Sequence, residues 1–244
     1  MTENPIRNYF KTTHNLLYSF LVSLPLFLAY EVLILISQPN SDHVVRISVD
    51  VWFKSILNSF GLDAISLSLM IVMLLGFFIL YKEREKLNTL RARNFILMIA
   101  EAFVYSIIVT LVSSTVISAL FNIAATDPVT SLSYIQKLAL SLGAGLYEEL
   151  FFRVLLVSAF VFIFNKVFND KKWASYIASI TLSAMLFSAV HYMGSMGDLF
   201  TLNSFMYRFL FGLILNGIYI WRGFGIAAWT HAIYDVIVIT FLGG

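Results

Sequence analysis

Six ionisable residues sit in stretches of the chain that are otherwise apolar: Glu148, Glu149 and Arg153 in one, His191 in the next, His231 and Asp235 in the last. A charged side chain in the middle of a bilayer costs roughly 3 kcal/mol or more unless it is paired or faces water, which makes each a functional candidate by default. Glu149 and Arg153 are four residues apart and share a helical face. Glu148 is rotated away from both. Glu149 is therefore expected to be neutralised within its own helix, and Glu148 to find partners on other helices. His231 and Asp235 are also four apart, and His191 supplies a third line of approach. Four polar groups from three helices can converge on one buried pocket.

A buried carboxylate beside imidazoles suits water activation. The carboxylate takes the proton, and a second His polarises a carbonyl or holds its developing charge. Together they can hydrolyse an amide. Glu148, His191, His231 and Asp235 are also a nitrogen and oxygen ligand set of the kind Zn²⁺ takes. Other protease chemistries fit worse. No His-Glu-x-x-His zinc helix and no Gly-x-Ser-x-Gly elbow occurs. The absence of cysteine removes thiol nucleophiles, thiolate metal sites and disulfides. Tyr234-Asp235 and Gly194-Ser195-Met196-Gly197-Asp198 imitate an aspartyl pair, but spacing and order are wrong and Asp198 falls in a loop.

The elements that must position these residues are membrane spans. Of 244 residues 59% are hydrophobic and only 12% charged, with net charge +2. A soluble domain carries about 25% charged residues. The composition excludes a disordered chain, a nucleic-acid-binding protein and an ordinary soluble enzyme. Seven apolar stretches, near 14–37, 62–81, 94–121, 134–164, 174–193, 201–221 and 225–242, are long enough or nearly so to cross a bilayer. The first is too long for a cleavable leader, and no small-residue cleavage site follows it. Between the first two, 38–61 reads as an interfacial stretch with a short amphipathic helix. The expected fold is all-α, a polytopic transmembrane helical bundle of about seven spans plus that interfacial segment. Residues 1–130 supply N-terminal membrane helices, and 131–244 a catalytic core of four spans.

Orientation follows from Lys and Arg in short loops. With the N-terminus inside, the inner segments hold Arg7, Lys11, Lys82, Arg84, Lys86, Arg91, Arg93, Lys166, Lys171, Lys172 and Arg222; the outer ones hold Arg46 and Lys54. Eleven against two predicts a multi-pass protein of the cell membrane, N-terminus cytoplasmic and C-terminus outside. Glu31 and Glu101 have no nearby sequence partner. Arg208 pairs with either Asp198 or Glu31. His14 and His43 sit near polar ends and read as solvated.

Glu148-Glu149-x-x-x-Arg153, Phe187-x-x-x-His191 and His231-x-x-x-Asp235 resemble, in that order, the three motifs of the CPBP family, the CAAX prenyl proteases type 2 and their Abi-type relatives. Phe211-Gly212 through Trp221-Arg222-Gly223 to His231 is similar to the family's glycine-punctuated approach to its last motif. The likeness covers about residues 140–240. It implies an all-helical intramembrane endopeptidase acting on a membrane-associated protein or peptide. It implies that Glu148 and His191 activate water, that Glu149 and Arg153 support the site, and that His231 and Asp235 stabilise the oxyanion. No cofactor is favoured; a Zn²⁺-dependent mechanism on the same residues is the competing account. The prenyl-protein proteases carry Asn at the position of Asp235, and ionised Asp accepts hydrogen bonds but donates none. Two other classes compete: a proton-coupled transporter using the same groups as a relay, and a non-catalytic scaffold or immunity protein. The transporter reading lacks the repeated halves common in such folds.

One depth does not close. Glu148 and His191 lie about 27 Å from the inner loops along their helices, but His231 only about 13 Å from Arg222. Straight helices leave His231 too shallow unless the Arg222–Gly225 turn dips into the membrane as an irregular segment.

Overall fold

The computed structural model describes residues 4–37, 46–59, 64–120, 132–169, 171–193 and 197–242. His43 and the turn cluster at 38–42 lie outside them. Every regular element among the described residues is helical: α1 (Pro5–Thr13), α2 (Leu16–Ser37), α3 (Ser48–Asn58), α4 (Ala64–Lys82), a 3₁₀ turn (Arg84–Thr89), α5 (Ala92–Leu120), α6 (Tyr134–Val167), α7 (Lys172–Val190), α8 (Leu202–Arg222) and α9 (Phe224–Ile237). Among the described residues six helices are long and apolar enough to span a membrane: α2, α5, α6, α7, α8 and α9 with its continuation to Phe241. The apolar stretch near 62–81 forms α4, whose Ser68–Lys82 portion is shorter. The expected interfacial helix is α3. Met73, Phe77 and Ile96 are about two-thirds or more exposed, a surface that only lipid accommodates.

Hydrogen bonds define two ends. At the basic end, the Tyr18 hydroxyl of α2 donates to the Thr89 carbonyl at 2.6 Å, and Arg222 at the close of α8 donates to Thr13 of α1 at 2.8 Å. At the opposite end, Tyr134 at the start of α6 meets Thr240 at 3.2 Å. A capping box closes that start of α6: Ser133 and Gln136 satisfy each other's backbone N–H.

α9 is the central helix and packs on α2, α5, α6 and α8. Small residues allow it: Ala227, Ala228 and Ala232 are fully buried. Gly145 of α6 faces them. A Cβ at Gly145 would lie 2.5 Å from the Ala228 carbonyl oxygen and 2.6 Å from the Ala232 Cβ. Trp229 ties α9 to α2 by donating to the Val22 carbonyl at 2.7 Å.

Three polar expectations change. Arg222 is not a loop cation but is 1% exposed; its Nε and Nη2 donate to Glu101 at 2.6 and 2.9 Å. Glu101, about 13 Å along α5 from Ala92, thus has a partner that sequence separation concealed. The same pair resolves the depth of His231. The α8–α9 corner is held at the level of Glu101, and that length of α5, added to the nine residues from Arg222 to His231, brings His231 level with the other site residues. Glu31 is likewise paired. It accepts from Lys54 at 2.7 Å, Arg46 at 3.3 Å and Tyr147 at 3.2 Å, and Asp50 completes the cluster through Arg46, Lys54 and Tyr30. Lys54 is therefore a buried and Arg46 a largely covered partner of these carboxylates. Arg208 pairs with Asp198, the first of its two alternatives.

Candidate active site

The Glu148-Glu149-x-x-x-Arg153 motif of α6 does not lie on a regular α-helix. Ala144–Glu148 and Leu150–Val157 are π-helical turns. Such widened turns are rare in helices and recur at functional sites. The 34-residue span of α6, too long to cross a bilayer straight, absorbs its length partly here. The close approach at Gly145 sets this wide segment against α9, one turn before His231.

Glu149 is the hub. It is fully buried, as is Arg153. Arg153 Nη1 stands 3.1 Å from Glu149 Oε1, off the line of a hydrogen bond, so the attraction is between charges. The same oxygen lies 2.8 Å from His231 Nδ1. The in-helix pair is thus present, but Glu149, not Glu148, makes the hydrogen bond to another helix. Glu148 is 9% exposed, and its carboxylate has no hydrogen bond to another described residue. It remains available to something from outside the protein.

His231 is 3% exposed. Its Nε2 lies 3.5 Å from Asp235 Oδ2, one helical turn on. At that separation Asp235 orients rather than binds tightly. The Phe211 ring centroid is 5.0 Å from that of His231.

His191 follows the last residue of α7, where the helix stops. Its Nδ1 is 2.8 Å from the Phe187 carbonyl one turn back, leaving Nε2 untied to the backbone. Phe187 is the common wall of the site: its ring centroid is 5.0 Å from His191, 6.1 Å from His231 and 4.6 Å from the Arg153 guanidinium carbon. The Phe-x-x-x-His spacing has a physical reason here, since one residue contributes both the carbonyl that orients His191 and the ring that separates it from Arg153. Glu148 and His191 make no hydrogen bond to one another among the described residues.

The Zn²⁺ alternative requires three or more donors brought close together. No such group of His, Asp or Glu exists among the described residues, and His231 Nδ1 is turned to Glu149. The four residues do not fit a metal in this arrangement.

Sequence reasoning missed the roles of Tyr147, Glu31, Lys54 and Asp50, which support the Glu148–Glu149 turn from the α3 side. Trp52 and Phe53 add edge-on contacts to Phe151. The available signal was Tyr147 itself, a phenol next to Glu148 that needs a partner when buried.

No curated protein and no solved structure matches the chain. Residues 130–237 match the model of a family described as Type II CAAX prenyl endopeptidase Rce1-like. The match spans all three motifs, and over these residues the chain is similar to the type II CAAX prenyl endopeptidases of that family.

Proposed function

We propose that the chain hydrolyses a peptide bond of a membrane-associated protein or peptide, with Glu148 as general base. Glu148 and His191 hold a water. Glu148 takes its proton as the oxygen attacks the carbonyl carbon, and the carbonyl oxygen becomes the oxyanion. An imidazolium has two N–H donors. His231 spends one on Glu149 and offers the other, at Nε2, to the oxyanion. Asp235 steadies Nε2, and Arg153 offsets the charge of Glu149. When the tetrahedral intermediate collapses, the C–N bond breaks and Glu148 returns its proton to the leaving amine. A carboxylic acid and an amine result, and the acid's proton passes to the amine to give carboxylate and ammonium.

The observation that carries this reading is the contrast between the two adjacent carboxylates. Glu149 is committed to Arg153 and His231, while Glu148 is uncommitted beside them.

Purified protein incubated with a panel of apolar, membrane-derived peptides tests it. The parent is expected to cleave, and Glu148→Gln to lose at least about 100-fold in kcat while purifying and melting like the parent. Retained turnover in Glu148→Gln removes Glu148 as base. No cleavage of any peptide by the parent removes the reading.

A further inference from the structure

We infer that the site opens at the face opposite the basic end, and that its substrate is an apolar, extracytoplasmic juxtamembrane stretch of a membrane-anchored or exported peptide. This rests on the hydrolase reading above and adds the side and class of the substrate.

Three helices place the site at the same level. His191 follows the end of α7, a helix of 19 residues that starts at the basic end, so it lies about 28 Å from that end. Tyr147, next to Glu148, donates to Glu31, which is about 9 Å from the end of α2 at Ser37 and about 22 Å from Leu16. On α9, whose continuation runs to Phe241, Asp235 lies about 9 Å from that end and about 17 Å from Phe224. All three put the chemistry near the end that carries α3 and the α7–α8 connection.

The charges fix which end this is. Ten of the eleven inner-segment cations of the sequence, all but the buried Arg222, gather at the α1, Arg84–Thr89 and α6–α7 end. The other end holds Arg46, Lys54, Lys137 and Arg208, and all but Lys137 are engaged with carboxylates. A basic end is retained in the cytoplasm, so the site faces out. A cytoplasmic chain terminus would have to cross most of the bilayer thickness to reach Glu148.

The rim has the chemistry of an interface. Met193, Leu199, Phe200 and Leu202 beside His191 are 61% to 91% exposed, and the neighbouring Arg208 is matched by Asp198. Such a rim receives an apolar peptide segment and offers no unmatched charge for a polar one.

The chain contains no cysteine, which makes single-cysteine labelling direct. Leu199→Cys marks the rim and Asn88→Cys the basic end. In spheroplasts a membrane-impermeant maleimide is expected to label Leu199→Cys and to reach Asn88→Cys only after lysis; the reverse pattern overturns the inference. Two single-span reporters are then co-expressed, one carrying an apolar juxtamembrane stretch outside, the other a cytoplasmic C-terminal prenylated cysteine motif. Cleavage of the first alone, lost in Glu148→Gln, supports the inference. Cleavage of the second, or of neither, overturns it. In the latter case the peptide panel in detergent shows whether the hydrolase reading falls too: cleavage there leaves hydrolysis intact and only the substrate assignment wrong.

Discussion

Glu149 Oε1 is shared between His231 Nδ1 at 2.8 Å and Arg153 Nη1 at 3.1 Å. One oxygen thus links α6 to α9 and balances two potential cations. Glu149 Oε2 and the guanidinium nitrogens of Arg153 have no hydrogen-bond partner among the described residues.

Arg153→Ala is expected to act mainly on stability. Removing one member of a fully buried pair costs about 3–5 kcal/mol because the other charge is left uncompensated. Thermal unfolding in detergent should show a clear loss of Tm. An inactive Arg153→Ala with parental Tm would instead assign Arg153 a direct part in the chemistry.

Gly145→Val is expected to separate α6 from α9. Even a methyl at 145 meets the Ala228 carbonyl at 2.5 Å, backbone that cannot swing aside. Overpacking costs about 1–3 kcal/mol. A shift of about 1 Å between Glu148 and His231 costs about 100-fold in rate. Peptide cleavage should therefore fall further than Tm. Parental activity in this variant would show that the close approach is dispensable.

Asp235→Asn is expected to keep at least about a tenth of parental kcat/KM, a loss below about 1.4 kcal/mol. Asp235 sits 3.5 Å from His231 Nε2, and an amide can orient the ring while adding a donor near the oxyanion. Strong chelation should leave the parent active. A larger loss, together with chelator-sensitive activity and stoichiometric bound metal, would favour the metal-dependent account.

Much of the candidate site was legible because the residue types are so costly in their surroundings. Glu148, Glu149, Arg153, His231 and Asp235 stand out in apolar spans, and Glu149–Arg153 follows from four-residue spacing. The His231–Glu149 bond was not legible, since it joins residues 82 positions apart across a packing set by Gly145 and three alanines. The π-helical turns have no signature in the residues. Six of the about seven expected spans followed from apolar length, the stretch near 62–81 forming the shorter α4. The pairs Arg222–Glu101 and Lys54–Glu31 did not, because a loop cation and a buried cation look alike until the helices are packed.

Arg222→Met and Glu101→Gln are each expected to destabilise the fold, and the double variant to recover part of the loss. Each single change strands a charge, whereas the double leaves none. Thermal unfolding of the three variants gives the coupling. Strictly additive losses would mean that the contact contributes nothing as a pair.

The corner those two residues hold has mechanical weight. Gly223 turns the chain with φ +87°, a conformation that side chains resist, and α9 begins there as a stiff rod. His231 rides on that rod about 12 Å from the pivot. A tilt of about five degrees at Gly223 swings the imidazole by about 1 Å, the scale of displacement that costs about two orders of magnitude in rate. The Arg222–Glu101 pair at the base of this lever therefore sets the aim of an imidazole about 12 Å away.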